Sequence, residues 1–479
     1  MSGGRGPGFG RAKKLGFVDP ATFTPHFSWE KAVGKRGGSD LNRGAAVLRP
    51  YAAQEVRCEG ISLSEVAGTV GTPAYVYSQA AIGDAYKELA AGLGALPHTL
   101  CFAVKSNGNL AILQHLAGLG SGFDIVSGGE LQYLQRIGVP GKRIVFSGVG
   151  KTREEMREAL NYRLARRGGA KGILLFNIES EAELEALLEE AALSRRRGAA
   201  VPAVSIRVNP DVAAGGHPHI STGRYEHKFG LDWEQARRLY LAHRDSQEIR
   251  WRGISVHIGS QIVALKPFQR ALGRLARYVG ELRRAGIALE YLDFGGGLGI
   301  RYTNEKIPAR KDYARTVARA VRSLGLHLLL EPGRTIIGPA GVLLTRVLYV
   351  KENRGKSFVV VDSGMNDLMR PALYGAIHPI TRVVRRNDSG NARRVDVVGP
   401  VCETGDCFLR DWPLGNVKAG DVLAIWSAGA YGMSQTSNYN ARCRPAEVLV
   451  SGKRFWTIRR RETQQDLVRG QIGASGGAY

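Results

Sequence analysis

Cysteine is scarce in this 479-residue chain, and its five copies, Cys58, Cys101, Cys402, Cys407 and Cys443, are scattered. The number is odd and no short paired spacing occurs, so neither a disulfide framework nor a metal site is expected, and free thiols in a reducing compartment are. Long apolar runs are missing too. With no stretch of about 18 uncharged apolar residues and no apolar core of a secretory signal at the N-terminus, the sequence predicts no helical membrane span, no membrane partner and a cytoplasmic location. Acidic residues fall short of basic ones, 43 against 67, for a net charge of +24. Such a balance favours anionic partners, but no nucleic-acid-binding motif accompanies it, so a specific nucleic-acid partner is not expected. No internal repeat at a fixed period is found.

What the chain does have is 44% hydrophobic residues and enough length for two buried cores. Residues 1–50 read as a basic, glycine-rich, flexible N-terminal extension; a targeting segment and a misplaced start codon would look alike there. From Thr99 onward, short β-branched or aromatic runs alternate with helical patterns. Eight strands are predicted: Cys101 to Ser106, Phe123 to Ser127, Ile144 to Ser147, Ile173 to Asn177, Ser205 to Asn209, Ser255 to Ser260, Tyr291 to Gly296 and Leu328 to Glu331. One intervening helix has Ser180 and Glu183 as a capping box, Leu184, Leu187, Leu188 and Ala191 on one face, and Arg195 to Arg197 at its end. The fold class is therefore α/β, a (β/α)8 TIM barrel over residues 79–338. Residues 339–479 read as a C-terminal all-β domain, sandwich- or barrel-like, with strands over Val342 to Lys351, Ser357 to Asp362, Arg394 to Val398, Val422 to Trp426, Ala446 to Val450 and Phe455 to Arg459. The strand-like segments of residues 51–78, such as Ala74 to Tyr77, are expected to join it.

In such a barrel the site lies where the strands end. The ends are polar: Lys105 closes the first strand, Asp124 and Ser127 the second, His257 and Ser260 the sixth, Gly295, Gly296 and Gly297 the seventh, and Glu331 the eighth, before Gly333 and Arg334. A lysine at the end of Phe102-Ala103-Val104 is costly unless its ammonium is paired or its amine is covalently used; otherwise it reaches solvent at the rim. The glycine run can bring backbone N–H groups to an anion, or make only a tight turn. Lysine, glycine loop and strand-end carboxylate together suggest a phosphorylated aldehyde cofactor held on the lysine amine. Glu331 would then pair with its pyridine nitrogen, rather than with an arginine, and His257 would stack on the ring, rather than serve as a satisfied core histidine.

These residues bring a family into view. Over Tyr51 to Asp466 the chain resembles the diaminopimelate decarboxylases, alanine-racemase-like (fold-type III) pyridoxal-phosphate enzymes. The matching runs are Ala103-Val104-Lys105-Ser106-Asn107, His257-Ile258-Gly259-Ser260-Gln261, Asp293-Phe294-Gly295-Gly296-Gly297 and Glu331-Pro332-Gly333-Arg334. They continue with Arg370-Pro371-Ala372-Leu373-Tyr374, Cys402-Glu403-Thr404-Gly405-Asp406, Gly429-Ala430-Tyr431-Gly432 and Ser437-Asn438-Tyr439-Asn440. The resemblance implies pyridoxal 5'-phosphate on Lys105, with Asp124, His257, Ser260, Gly295 to Gly297, Glu331, Gly333, Arg334 and Tyr431 around it. It implies Arg334, Arg370, Tyr374, Glu403 and Tyr431 as substrate contacts and Cys402 as proton donor, with His257 also in the catalytic set. The implied reaction takes meso-diaminopimelate to lysine and carbon dioxide, the last step of lysine biosynthesis, in a homodimer whose partner subunit lends Cys402 and Glu403. The tract Met433-Ser434-Gln435-Thr436 departs from the family's usual methionine-serine pair.

Other readings are weaker on the residues. A decarboxylase of another diamino acid has no need of paired arginines, a racemase lacks the Cys-Glu pair, and a silent homologue would have lost Lys105 or Cys402.

Overall fold

The computed structural model describes residues 26–31, 54–164, 171–212, 228–385 and 393–474. The chain divides into two compact units, Ile82–Gly338 and a second drawn from both chain ends, Met1–Ala81 with Pro339–Tyr479.

The second unit opens with β1 (Phe27–Lys31), β2 (Gln54–Cys58), β3 (Ile61–Ser62) and β4 (Ala74–Ser78). β1 pairs antiparallel with β2, Phe27 against Cys58. Phe27–Lys31 of the N-terminal extension thus form a strand; apart from His26, the rest of that extension lies outside the described residues. The cause is Phe27, which is buried and meets Trp426 edge-on at 5.7 Å, a burial of about 1.5–3 kcal/mol.

The first unit is a closed barrel of eight parallel strands in chain order. They are β5 (His98–Ala103), β6 (Gly122–Ile125), β7 (Ile144–Phe146), β8 (Leu175–Ile178), β9 (Ala203–Arg207), β10 (Arg250–Ser255), β11 (Tyr291–Asp293) and β12 (His327–Leu330). The ring closes where Leu328 of β12 pairs with His98 of β5. Cys101, Val145, Leu175, Ala203 and Leu329 form an apolar cluster from five of these strands.

The eight units are as expected, but several strands lie earlier than the sequence suggests. β10 is displaced most: Arg250, Trp251, Arg252 and Gly253 do not read as strand, whereas the apolar run after Ser255 does, although the ladder has ended there. His257 and Ser260 therefore sit in the loop beyond the strand. Likewise Lys105 follows β5, in a single 3-10 turn, Val104–Ser106. The helix Glu181–Arg196 is capped by Ser180, whose hydroxyl accepts from the Glu183 N–H at 3.1 Å. The reciprocal half of the expected box is absent, because Glu183 instead accepts from the Glu179 N–H and from Lys151.

After the barrel come β13 (Gly341–Asn353), β14 (Lys356–Val361), β15 (Ile380–Arg382), β16 (Val384–Arg385), β17 (Arg394–Val398), β18 (Cys407–Pro413), β19 (Val422–Ile425), β20 (Ala446–Ser451) and β21 (Arg454–Arg459). β4 lies between β13 and β20 in a nine-stranded sheet, so the segment before Ser78 does belong to the β domain. Val56, Val76, Val342, Trp426 and Val448 share its core. No helix among the described residues is long and apolar enough to cross a membrane.

Candidate active site

The turn after β5 is held by the Asn107 N–H donating to the Val104 carbonyl at 2.9 Å and by the Ser106 hydroxyl donating to Ala103 at 2.7 Å. It brings the Lys105 ammonium within 2.5 Å of Asp124 Oδ2, at the end of β6. Asp124 is fully buried, and its second oxygen, Oδ1, has no hydrogen-bond partner among the described residues. A buried carboxylate with one oxygen unmet is a reason to look for a further donor at this place.

Across the strand ends runs a buried polar chain. Asn177 of β8 donates to Ser147 Oγ at 3.0 Å and to Asp293 Oδ2 at 2.6 Å, and it accepts from Ser205 of β9. The Ser147 hydroxyl donates to Glu331 Oε1 at 3.2 Å. Glu331 and Asp293 share a hydrogen bond, and burial, then the charges of Asp124 and Asp293, push the Glu331 carboxyl well above its usual range. Asp293 is raised by burial but also accepts the Gly295 N–H at 2.9 Å. The shared proton therefore belongs on Glu331, with Asp293 as acceptor.

His257 is fixed by the loop after β11. The Gly296 N–H donates to His257 Nδ1 at 3.1 Å, so that nitrogen carries no proton. Burial, then the charges of Arg207 and Lys105, hold the imidazole pKa well below its ordinary value. The glycines of this loop are required by the protein's own packing. A Cβ on Gly295, φ +61°, would come within 2.5 Å of His257 Nδ1, and one on Gly297, φ +107°, within 2.4 Å of the Gly259 carbonyl. The Gly295 and Gly296 N–H groups are already engaged, by Asp293 and His257. For an anion at this rim the charged group is Arg334, which donates to Ser260 Oγ at 3.1 and 3.3 Å and to Tyr302 Oη at 2.7 Å. Ser260, accepting twice from that guanidinium, keeps a hydroxyl proton to donate outward.

Residues that sequence reasoning passed over complete the arrangement. Asn177, Ser147 and Ser205 are single polar residues within apolar strand patterns, a weak signal. Glu179 binds the Arg207 guanidinium with both oxygens at 3.0 and 3.1 Å. Asp293 is visible in the sequence, two residues before the glycine run.

The remaining candidates belong to the β-rich unit. Arg370 is buried, donates to His378 Nε2 at 3.2 Å and lies over the Tyr374 ring at 5.6 Å. The Tyr374 hydroxyl accepts from Gln435 Nε2 at 3.3 Å, so the tract that departs from the family pattern touches a candidate substrate residue. Cys402 is exposed, its N–H held by Asn440 Oδ1 at 3.0 Å, and Glu403 accepts from the Tyr439 hydroxyl at 2.5 Å. Tyr431 is half-buried with φ 54°, a left-handed conformation that a bulky residue keeps only where its surroundings fix it.

Covalent capture of an aldehyde needs a primary amine, and electron withdrawal into a pyridine ring needs a carboxyl able to supply and hold a proton on its nitrogen. This (β/α)8 barrel has at its strand ends a lysine amine and a proton-holding carboxyl, the groups that pyridoxal-phosphate chemistry requires, and the comparisons place it in the pyridoxal-phosphate-dependent class. Residues 79–338 match the pyridoxal-binding domain of the pyridoxal-dependent decarboxylases. Diaminopimelate decarboxylase of Pseudomonas aeruginosa is 47% identical over 88% of this chain and 98% of its own, and that of Neisseria meningitidis serogroup B is 45% identical over 87% and 96%. The crystal structure of the Helicobacter pylori enzyme complexed with L-lysine superposes with a TM-score of 0.78 at 39% identity, covering 85% of this chain and 98% of that one. The M. jannaschii enzyme, also in complex with L-lysine, gives 0.80 at 37% identity, covering 88% and 96%. The chain belongs to the diaminopimelate decarboxylase family; it is a carboxy-lyase, and its cofactor is pyridoxal 5'-phosphate.

Proposed function

We propose that this enzyme decarboxylates meso-2,6-diaminopimelate to L-lysine, the last step of lysine biosynthesis. The observation that carries the reading is Lys105 against Asp124 beside a Glu331 that holds its proton. Bound pyridoxal phosphate supplies an electron sink for the charge left as carbon dioxide departs. Lys105 would hold the cofactor through its amine, and Asp124, already in contact with that side chain, would orient it and favour its charged form when it is free. Glu331, which holds its proton, would supply it to the ring nitrogen and serve as counter-ion there. His257, neutral, lies against the ring without adding positive charge. Gly297, Gly333 and the Ser260 hydroxyl bind phosphate with Tyr431, and the Gly295 and Gly296 N–H groups shape that loop through Asp293 and His257.

Substrate choice follows from the distal end, which carries both a carboxylate and an ammonium. Arg334 and Arg370 with the Tyr374 hydroxyl suit the carboxylate, and Glu403 suits the ammonium. Cys402 returns a proton to the carbon that has lost its carboxylate. We place the enzyme in the cytoplasm, as a homodimer in which each subunit lends Cys402 and Glu403 to the other's site.

The test is to incubate the protein and Lys105→Ala with pyridoxal phosphate and meso-diaminopimelate, following absorbance and lysine. Lysine formed only when Lys105 is present supports the reading. A Lys105-dependent visible absorbance without lysine overturns the substrate, and its absence overturns the cofactor assignment to Lys105.

A further inference from the structure

Asp406, four residues after Cys402, is almost completely buried, and the hydrogen bonds of its carboxylate go to backbone N–H groups of residues assigned no chemical task. Its two carboxylate oxygens serve different segments. Oδ2 accepts the Val401 N–H and Oδ1 accepts the Met365 N–H, each at 2.7 Å. The first donor adjoins Cys402; the second begins the run that leads through Asn366 and Asp367 into Arg370. The backbone is shaped around this carboxylate. A Cβ on Gly399 would lie 2.3 Å from Asp406 Oδ2, and one on Gly364 would lie 3.1 Å from the same oxygen. The main chain of Asp406 closes the loop on itself, with its N–H donating to the Glu403 carbonyl and its carbonyl accepting the Gly399 N–H, both at 3.1 Å.

A third segment is joined to the same group. Asn440 Oδ1 accepts the Cys402 N–H at 3.0 Å, and the Ser437 N–H donates to the Asn366 carbonyl at 3.0 Å. The loop bearing Cys402 and Glu403, the run into Arg370 and the tract after Tyr431 are thus tied by three side-chain-to-backbone bonds and one backbone bond, with Asp406 at the branch.

We propose that Asp406 is a positioning residue for the reaction, its carboxylate setting the Cys402 thiol and the Glu403 carboxylate in register with the Arg370 segment. The inference rests on the functional reading of Cys402 given above. A carboxylate is required because two N–H groups approach separate oxygens. An amide presents one oxygen and one NH2, so Asp406→Asn keeps the shape but turns a donor toward a donor on one side.

The experiment compares wild type, Asp406→Asn and Cys402→Ala as cofactor-loaded enzymes, reading kcat, KM for meso-diaminopimelate, the cofactor absorbance and the alkylation rate at Cys402 by peptide mapping. Asp406→Asn is expected to lower kcat about tenfold or more and to change Cys402 alkylation several-fold, on the scale of one lost buried hydrogen bond. The cofactor spectrum should stay as in wild type, since Lys105, Asp124 and Glu331 belong to the barrel unit. If Cys402→Ala is inactive while folded Asp406→Asn keeps wild-type turnover and alkylation, the proposal is overturned. If Cys402→Ala itself turns over normally, the reading beneath it fails first, and the two failures are distinct. Should Asp406→Asn not fold, Asn440 carries the test. Asn440 has φ 55°, which glycine adopts freely. Asn440→Gly then removes the acceptor without strain and should slow turnover, whereas Asn440→Asp retains the acceptor and should restore it; equal rates in both would overturn the proposal.

Discussion

The Gly296 N–H donates to Nδ1 of His257 at 3.1 Å, and that one bond decides the charge state of the imidazole. An Nδ1 that accepts cannot carry a proton, and burial with Arg207 and Lys105 nearby opposes a second charge. The ring is therefore neutral with its proton on Nε2. Nitrogen NMR of histidine-labelled enzyme should show this tautomer at His257 unchanged from pH 8 down to pH 6. A depressed histidine pKa also sets a stability sign. The unfolded chain takes up the proton first as pH falls through about 6.5, so the stabilisation present above that value is lost progressively toward acid. His257→Gln should flatten part of that acid-side loss.

Asp293 links two parts of the cofactor site, since it accepts the Gly295 N–H and shares a proton with Glu331. Asp293→Asn removes the charge and one of the two acceptor oxygens while keeping the volume, so the three donors that Asp293 serves must share one oxygen. A buried hydrogen bond to a charged group contributes about 1.5–3 kcal/mol. Cofactor affinity, measured by absorbance titration, should fall roughly tenfold or more, and the pH dependence of the bound-cofactor spectrum should shift. An unchanged spectrum and affinity would show that Glu331 holds its proton without Asp293.

Glu130 offers a cleaner pH test, because it lies outside the proposed chemistry. It accepts the Val126 N–H at 2.8 Å, and burial raises its carboxyl to about 7. A raised acid contributes stability that is complete below its unfolded value near 4.5 and is lost as pH rises through 7. The rise from 4.5 to about 7 corresponds to about 3 kcal/mol at most. Glu130→Gln imitates the protonated form, so its melting midpoint should match wild type at pH 5 and exceed it at pH 8.

These groups differ in how far the sequence betrayed them. Lys105, Glu331 and the glycine run stand out because each interrupts or ends an apolar strand at the point where a barrel keeps its chemistry. The proton-sharing chain does not stand out, because Ser147, Asn177, Asp293 and Glu331 come from four strand ends and meet only once the barrel closes. β10 departs from the expected bounds for a local reason: two arginines and a glycine occupy three of its first four positions, and parallel pairing with β9 outweighs their poor strand propensity. Phe27 is the reverse case. Its glycine-rich, basic surroundings conceal a residue whose burial against Trp426 is reason enough for a strand.

Gln435, in the tract Met433-Ser434-Gln435-Thr436, donates to the Tyr374 hydroxyl at 3.3 Å. The bond from Gln435 fixes the position of the Tyr374 hydroxyl, which the proposed function sets against a substrate carboxylate. Gln435→Ser removes that orienting bond but no charge. KM for meso-diaminopimelate should rise a few-fold, in keeping with about 0.5–1.5 kcal/mol for one neutral hydrogen bond, with kcat nearly constant. A fall in kcat at constant KM would place Gln435 in the chemical step instead.

The proposed sharing of the site between subunits makes a quantitative prediction. Let Lys105→Ala and Cys402→Ala chains be unfolded together and reassembled at equal amounts. Random pairing gives about half heterodimers. In each heterodimer one site combines both defects, whereas the other joins an intact Lys105 with an intact Cys402 from the opposite chain. Roughly a quarter of wild-type activity should therefore return, from two inactive parents. If each site used its own chain's cysteine, every site in the mixture would carry one defect and none would recover. The measured recovery after verified mixing thus separates a site completed by the partner from one completed within the chain.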